Sequence, residues 1–383
     1  MSRTTDPGHF FQTTSSVEES ARKAAKSKNE HGNPIKLSSK ILAIAADPDD
    51  AGAIYTAEAA GITSDKSRIF TGPTAPLTCL ALSTFVGGSR TLFAGCWDKS
   101  IHSWSSTTRK PVRRYSGHND FLKALLCVTV AGKELLISGG ADAVIIVWEI
   151  ATGMKLHTLK GHARGVQDLA IDPLSLPAEG GIVANEIIFF SAGSERDIRR
   201  WRLTADSAVE TNESAADPIF AHETSVYRLV FDSEGDLWTA SADKTAKHLV
   251  RTRSWEADTV LQHPDFVRDI KLSNDERWVV TACRDEEVRV WDAGSGELYH
   301  VYSGHYEEVT GLLVLGRGDG VVSVSIDGTV RRWSLRQQDL TKARLDAEKA
   351  EQGLLEEKVE AGEKSLLTAE EEAELAELMD EDD

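Results

Sequence analysis

Side chains able to do acid–base and nucleophilic chemistry recur along this chain in one order: imidazole, hydroxyl, carboxylate. One set is His263, Thr281 and Asp285, followed by Trp291. These are the groups of a hydrolytic triad, in which an imidazole takes the proton of a hydroxyl and a carboxylate orients the imidazole. The same order returns at His118, Ser138, Asp142 and Trp148, at His162, Ser191, Glu195 and Trp201, and at His305, Ser323, Asp327 and Trp333. A fifth set, His222, Thr239 and Asp243, ends in Leu249. A sixth unit keeps only Asp98 and Trp104, with Pro73 and Ala94 in place of histidine and hydroxyl. A catalytic triad is single and needs its nucleophile exposed beside oxyanion donors. Copies at fixed spacing belong to a scaffold, so no catalytic residue is expected. The chain also has no G-x-x-x-x-G-K-[ST], no H-E-x-x-H and no G-x-G-x-x-G opening a helix. Outside the repeat no His or Cys pair has ligand spacing, so neither a metal nor a cofactor is expected.

The elements that must position these groups form a repeat. The acid stands six residues before its anchor in every copy, and anchors are spaced by 44, 53, 48, 42 and 42 residues. The long interval contains the insertion Pro173 to Glu186. Between the landmarks the periodicity is two, as in "VYRLVFDS" and "VRDIKLS", which predicts four short strands per unit. A seventh unit, Ile41 to Ile62, has strand lengths and turn residues of the same kind but lacks the histidine and carries Glu58 and Ala59 near the acid position. The last unit stops after the strand holding Trp333. Asn33 to Ser39 is the candidate for its outermost strand, which would join the two ends of a ring and remove open sheet edges.

"SGHND", "KGHARG", "YSGHYE" and "VWDAG" resemble the Gly-His and Trp-Asp signatures of the WD-repeat β-propeller family. The resemblance implies an all-β, seven-bladed propeller over residues 33–335; composition adds a flexible leader at 1–32 and an acidic, partly helical or disordered tail at 336–383. It also implies that histidine, hydroxyl, acid and tryptophan of each complete set form a hydrogen-bonded chain inside a sheet. In that family, partners commonly touch the residue before the turn acid and the residues after Gly-His. Here those positions give Trp97, Arg284, Asn119, Phe121, Arg164, Pro264, Phe266 and Tyr306 as candidate partner-binding residues.

The net charge is −18, but Asp339 to Asp383 holds 17 acidic and 5 basic residues, so the tail carries −12 and the rest of the chain −6. That balance argues against a broad nucleic-acid surface. Three basic runs, Arg109 to Tyr115, Arg196 to Arg202 and Arg331 to Arg336, are expected on outer blade strands, the places where nucleic acid could touch. In the tail, Thr368 and Glu371 form a capping box before a segment placing Leu375, Leu378 and Met379 on one face, a further candidate for partner binding. No apolar run is long enough to cross a bilayer, no secretory leader is visible, and the four cysteines are scattered singly. The expectation is a non-catalytic scaffold in the cytoplasm or nucleus, not secreted, that binds proteins, with no small-molecule substrate and no membrane. Two alternatives stay open: a substrate receptor of a cullin-type ubiquitin ligase, suggested by Asp327, Trp333 and Arg336 although Ser334 and Val324 depart from that pattern, and an RNA-processing or ribosome-assembly factor.

Overall fold

The structure is a computed structural model that describes residues 14–48, 50, 53–59, 61–64, 68–83, 90–177, 184–211, 218–316 and 318–349. The chain divides into two units, Met1–Leu335 and Arg336–Asp383. In the second, residues 337–349 are helical, and Leu375, Leu378 and Met379 lie outside the described residues.

The first unit is an all-β propeller. Its described strands form seven antiparallel sheets. Each begins at an inner strand: β1 (Ile41–Ala46), β2 (Leu77–Leu82), β3 (Leu122–Val130), β4 (Val166–Ile171), β5 (Val226–Phe231), β6 (Val267–Leu272) and β7 (Val309–Val314). These inner strands neighbour one another in cyclic order, and β7 returns to β1. The Thr310 hydroxyl donates to the Ile41 carbonyl at 2.9 Å across that closing junction. Six sheets carry the acid-and-anchor signature. The β1 sheet instead buries Glu58, which accepts from the Ser39 hydroxyl at 2.9 Å.

Apolar residues are packed between adjacent sheets. Trp238, Val267, Ile270, Val279 and Trp291 form one such layer, and Phe190, Leu229, Leu249 and Trp255 another. Burying a side chain of this size is worth about 1.5–3 kcal/mol, and the layers recur around the ring.

The outer edge of the β7 sheet is Ile35–Lys36, antiparallel to Thr329–Ser334 with Ile35 opposite Val330. The segment before it is held against the β6 and β7 sheets, which corrects the expectation of a flexible leader for the described residues 14–32. Helix α1 (Thr14–Lys26) ends in a basic turn, and Arg22, Lys23 and Lys26 pair with Glu286, Glu307 and Glu287 at 2.8–3.0 Å. Gly32 then passes so close to the Trp333 ring that a Cβ there would fall 2.8 Å from it.

Every inner strand has the same irregularity. Pairing with the second strand skips one residue, for example Lys123 between Leu122 and Ala124. The skipped residues are Gln167, Tyr227 and Arg268 on β4, β5 and β6, and Leu42, Thr78 and Thr310 on β1, β2 and β7. A bulge re-aims its extra side chain, and all of these residues line a central cavity of about 330 Å³.

Candidate functional site

Three of the complete sets form the expected chain. In the β3 sheet the Trp148 indole donates to Ser138 Oγ at 2.8 Å, and Ser138 Oγ meets His118 Nε2 at 2.8 Å. His118 Nδ1 then donates to Asp142 at 3.0 Å. A neutral imidazole completes this chain when Ser138 Oγ donates to Nε2, and burial does push the His118 pKa down, against the pull of Asp142. His162, Ser191, Glu195 and Trp201 repeat the arrangement at 2.6–2.7 Å, and His305, Ser323, Asp327 and Trp333 at 2.7–2.9 Å. In the β5 sheet His222 bonds Asp243 and Thr239 at 2.8 and 2.7 Å, and Leu249 leaves that chain without its indole. All the hydroxyls are buried completely. A group with no access to substrate cannot attack one.

The fourth set corrects the sequence reading. Trp291 and His263 still meet at Thr281, at 2.9 and 2.8 Å, but His263 Nδ1 faces the Leu261 carbonyl at 3.1 Å instead of Asp285. Arg289 holds Asp285 with both terminal nitrogens, at 3.0 and 2.5 Å. The physical reason is one residue away. In the other sets the residue after histidine donates its backbone N–H to the acid: Asn119, Ala163, Glu223 and Tyr306. Pro264 has no N–H to give, so nothing draws this loop onto Asp285. The incomplete β2 unit solves the same problem similarly, with His102 Nε2 at 2.9 Å from Asp98, four residues on. Burial raises the Asp98 pKa, but Ser100, His102 and backbone donors outweigh it and hold it down at about 2. Sequence reasoning singled out neither His102 nor Arg289, although both stand four residues after a turn acid.

Just below the channel mouth, Arg228 on β5 bridges Asp269 on β6 at 2.8 Å and Asp168 on β4 at 3.1 Å. The free oxygens of the two acids accept the Leu312 and Leu229 amides, both at 2.8 Å, so each carboxylate also ties its strand to the next.

Five of the eight candidate partner residues on the propeller fall into two clusters. Trp97 is 53% exposed and its ring lies 5.8 Å from that of Phe121, which is half-buried; both line the cavity. Phe266 is half-buried beneath the Arg284 guanidinium, 5.1 Å above its ring, and Pro264 beside it is exposed. Asn119 and Arg164 are exposed. Tyr306 is turned inward, its hydroxyl donating to the Asp327 carbonyl at 3.1 Å.

The basic runs are placed differently from expectation. Only Arg109 to Tyr115 reaches an outermost strand, Pro111–Ser116. The other two sit on third strands, Asp197–Thr204 and Thr329–Ser334, because Ala208–Glu210 with Ile219–Phe220 and Ile35–Lys36 take the outer edges. Arg331 is 1% exposed, donating to the His31 and Asn29 carbonyls.

Among the described residues two groups bring three metal-capable donors within 4.8 Å of one another: Cys96, Asp98 and His102, and Asp232, Asp236 and His248. In the first, His102 Nε2 is engaged by Asp98. In the second, His248 stands between Asp232 at 3.1 Å and Asp258 at 2.8 Å. Burial opposes its charge, but the two carboxylates raise its pKa, which favours an imidazolium over a ligand. Among the described residues no helix is long and apolar enough to cross a membrane.

The chain matches the family described as WD40: WD domain, G-beta repeat, over residues 64–105, 256–292 and 296–334. It is 33% identical to a WD repeat-containing protein of Schizosaccharomyces pombe over 98% of this chain and 99% of that one. It is also 28% identical to nuclear distribution protein nudF of Aspergillus niger, over 53% of this chain and 42% of that protein. With the human WD repeat-containing protein 37 the identity is 25%, over 59% of this chain and 50% of that protein. The WD-repeat fold is in general a non-catalytic module that binds protein partners. Signature, closed ring of sheets and end-to-end similarity agree: the chain belongs to the WD-repeat β-propeller family.

Proposed function

We propose that this chain is a non-catalytic scaffold that brings proteins together within a multiprotein complex of the cytoplasm or nucleus. In this reading the β1 sheet counts as a full blade, the propeller is seven-bladed, and partners dock on the face carrying the turn acids, with the acidic segment 339–383 as a second contact. The observation that carries the reading is Trp97, an indole more than half exposed beside Phe121 at the mouth of the central cavity. Exposed aromatic and Arg anchors are the usual hot spots of protein interfaces. Phe266 under Arg284 offers a second anchor of the same kind. The repeated acid sets are closed internal networks, which leaves recognition to these loops.

The test is affinity purification with three chains: the full protein, one carrying Trp97→Ala with Phe266→Ala, and one lacking residues 339–383. Loss of specific partners from the second or third supports the reading. An unchanged set of partners from both removes it.

A further inference from the structure

Cationic side chains line the mouth of the central channel. Of the side chains that the inner-strand bulges aim into it, the two ionised ones are cations, Lys123 on β3 and Arg268 on β6, and among the described residues lining the cavity there is no carboxylate. Arg228 also lines it, but its guanidinium is committed to Asp168 and Asp269. Lys123 is held differently. Its ammonium donates to the neutral Gln167 Oε1 at 3.0 Å and lies 5.5 Å from the centre of the Phe121 ring. Burial and then the nearby Arg268 charge push its pKa down, with Asp120 only partly compensating. Arg268 is stacked 4.3 Å over Tyr227. Its Nε is ion-paired with Glu308 at 2.6 Å, while no hydrogen bond engages its terminal nitrogens among the described residues.

Two converging, partly desolvated cations with donors to spare are what an anion requires. The walls narrow the ligand further. Trp97, Phe121 and Tyr227 flank the cations, and a volume of about 330 Å³ exceeds what a lone inorganic anion fills. Trp97 extends the site outward onto the exposed face, where a chain flanking the anion would run. A nucleic-acid backbone would need a longer array of cations than these two, of which Arg268 already has Glu308 as a partner.

We propose that the channel mouth binds an anionic group, a carboxylate or a phosphoryl, carried by an extended segment of a protein partner, with Lys123 and Arg268 supplying the charge. The proposal rests on the scaffold reading and adds the chemistry that the partner must present.

Isothermal titration of the full chain at physiological salt tests it, using short capped peptide mixtures with a fixed central glutamate, phosphoserine or lysine, and inorganic phosphate alone. The glutamate or phosphoserine mixture should bind at least about tenfold more tightly than the lysine mixture. Lys123→Glu should remove that preference and Lys123→Arg should keep it. Which anionic mixture binds separates carboxylate from phosphoryl. Equal or tighter binding of the lysine mixture overturns the proposal, as does indifference to Lys123→Glu. Binding of inorganic phosphate without either anionic peptide overturns the assignment to a protein partner. Partners lost from the Trp97→Ala, Phe266→Ala chain but retained by Lys123→Glu overturn the anion site alone and leave the scaffold reading standing.

Discussion

Arg289 holds Asp285 in the place that His118 holds for Asp142. Both terminal guanidinium nitrogens reach the carboxylate, and His263 turns to the Leu261 carbonyl instead. The turn acid is therefore the fixed requirement of the blade, and its partner can come from the loop before the sheet or from the strand after the turn. Asp98 with His102 makes the second choice too. A half-buried carboxylate needs a donor, and the fold accepts whichever is nearest.

Arg289→Met should accordingly cost more than His263→Ala. Stripping the cation from Asp285 should destabilise by about 3 kcal/mol, the low end for breaking a buried pair, since Asp285 keeps some exposure. Removing His263 breaks only neutral hydrogen bonds, a loss of about 1–2 kcal/mol. Urea unfolding midpoints of the two variants decide the order, and a silent Arg289→Met would mean that Asp285 is not locked.

Stability should fall as pH drops from neutrality. Burial foremost lowers the pKa of His118, His222, His263 and His305, to about 4 for His263, where Arg289 adds to the shift. These imidazoles are neutral in the folded chain and ordinary in the unfolded one. Their contribution is complete above the unfolded value of about 6.5 and is lost as protons bind the unfolded state below it. For His263 the loss grows down to about pH 4 and amounts to about 3 kcal/mol at most. The carboxyls of Asp243 and Asp327 are raised by burial but held low by His222 and His305 respectively, so their contribution persists until still lower pH. His248, with its raised pKa, has the opposite sign and loses its contribution as pH rises. Thermal midpoints that stay flat between pH 7 and 5 would contradict this, and His263→Gln should make the decline shallower.

The acid–anchor spacing was legible because it is local: six residues set a turn whatever surrounds it. Which partner meets the acid was not, because it depends on the path of a loop. Pro264 did carry that information, since a residue without an N–H cannot copy what Asn119 or Tyr306 donates. The bulge at Lys123 leaves almost no trace, as one skipped residue in a short strand hardly disturbs the alternation and shows only against the partner strand. Trp97 was legible as an exposed ring, whereas its neighbours Lys123 and Tyr227 come to the channel from separate sheets.

Arg228→Met should destabilise the ring strongly. It leaves Asp168 and Asp269 with amide partners and only Lys271, 4.0 Å from Asp269, as countercharge, and burial already raises the Asp168 pKa against the pull of Arg228. The expected loss is about 3–5 kcal/mol. Adding Asp168→Asn and Asp269→Asn should restore part of it, because the neutral triple variant has no unpaired charge. Calorimetric unfolding of the single and triple variants checks both steps, and a triple variant no better than the single one would assign the loss to packing.

Helix α1 should come away from the propeller before the propeller unfolds. Its described contacts are ion pairs, and Ala21, Ala24 and Ala25 are exposed, so no apolar residue of that turn is buried. Glu286 itself is buried, but Arg22, Lys23 and Lys26 keep solvent access, and ion pairs near the surface are worth about 0–1 kcal/mol each and are screened by salt. The stretch after the helix is fixed by other means: the Arg332 amide donates to the Gly32 carbonyl at 2.8 Å, and Arg331 donates to the Asn29 carbonyl at 3.1 Å. Trypsin in about 1 M NaCl, where the Debye length shrinks to about 3 Å, should therefore cut at Arg22, Lys23 or Lys26 while Lys36, in the strand opposite Thr329, stays protected. Glu286→Lys with Glu307→Lys should give the same pattern at low salt, with the main thermal transition little changed. Cleavage that salt does not accelerate, or a main transition that falls together with it, would show that the helix is an integral part of the blade.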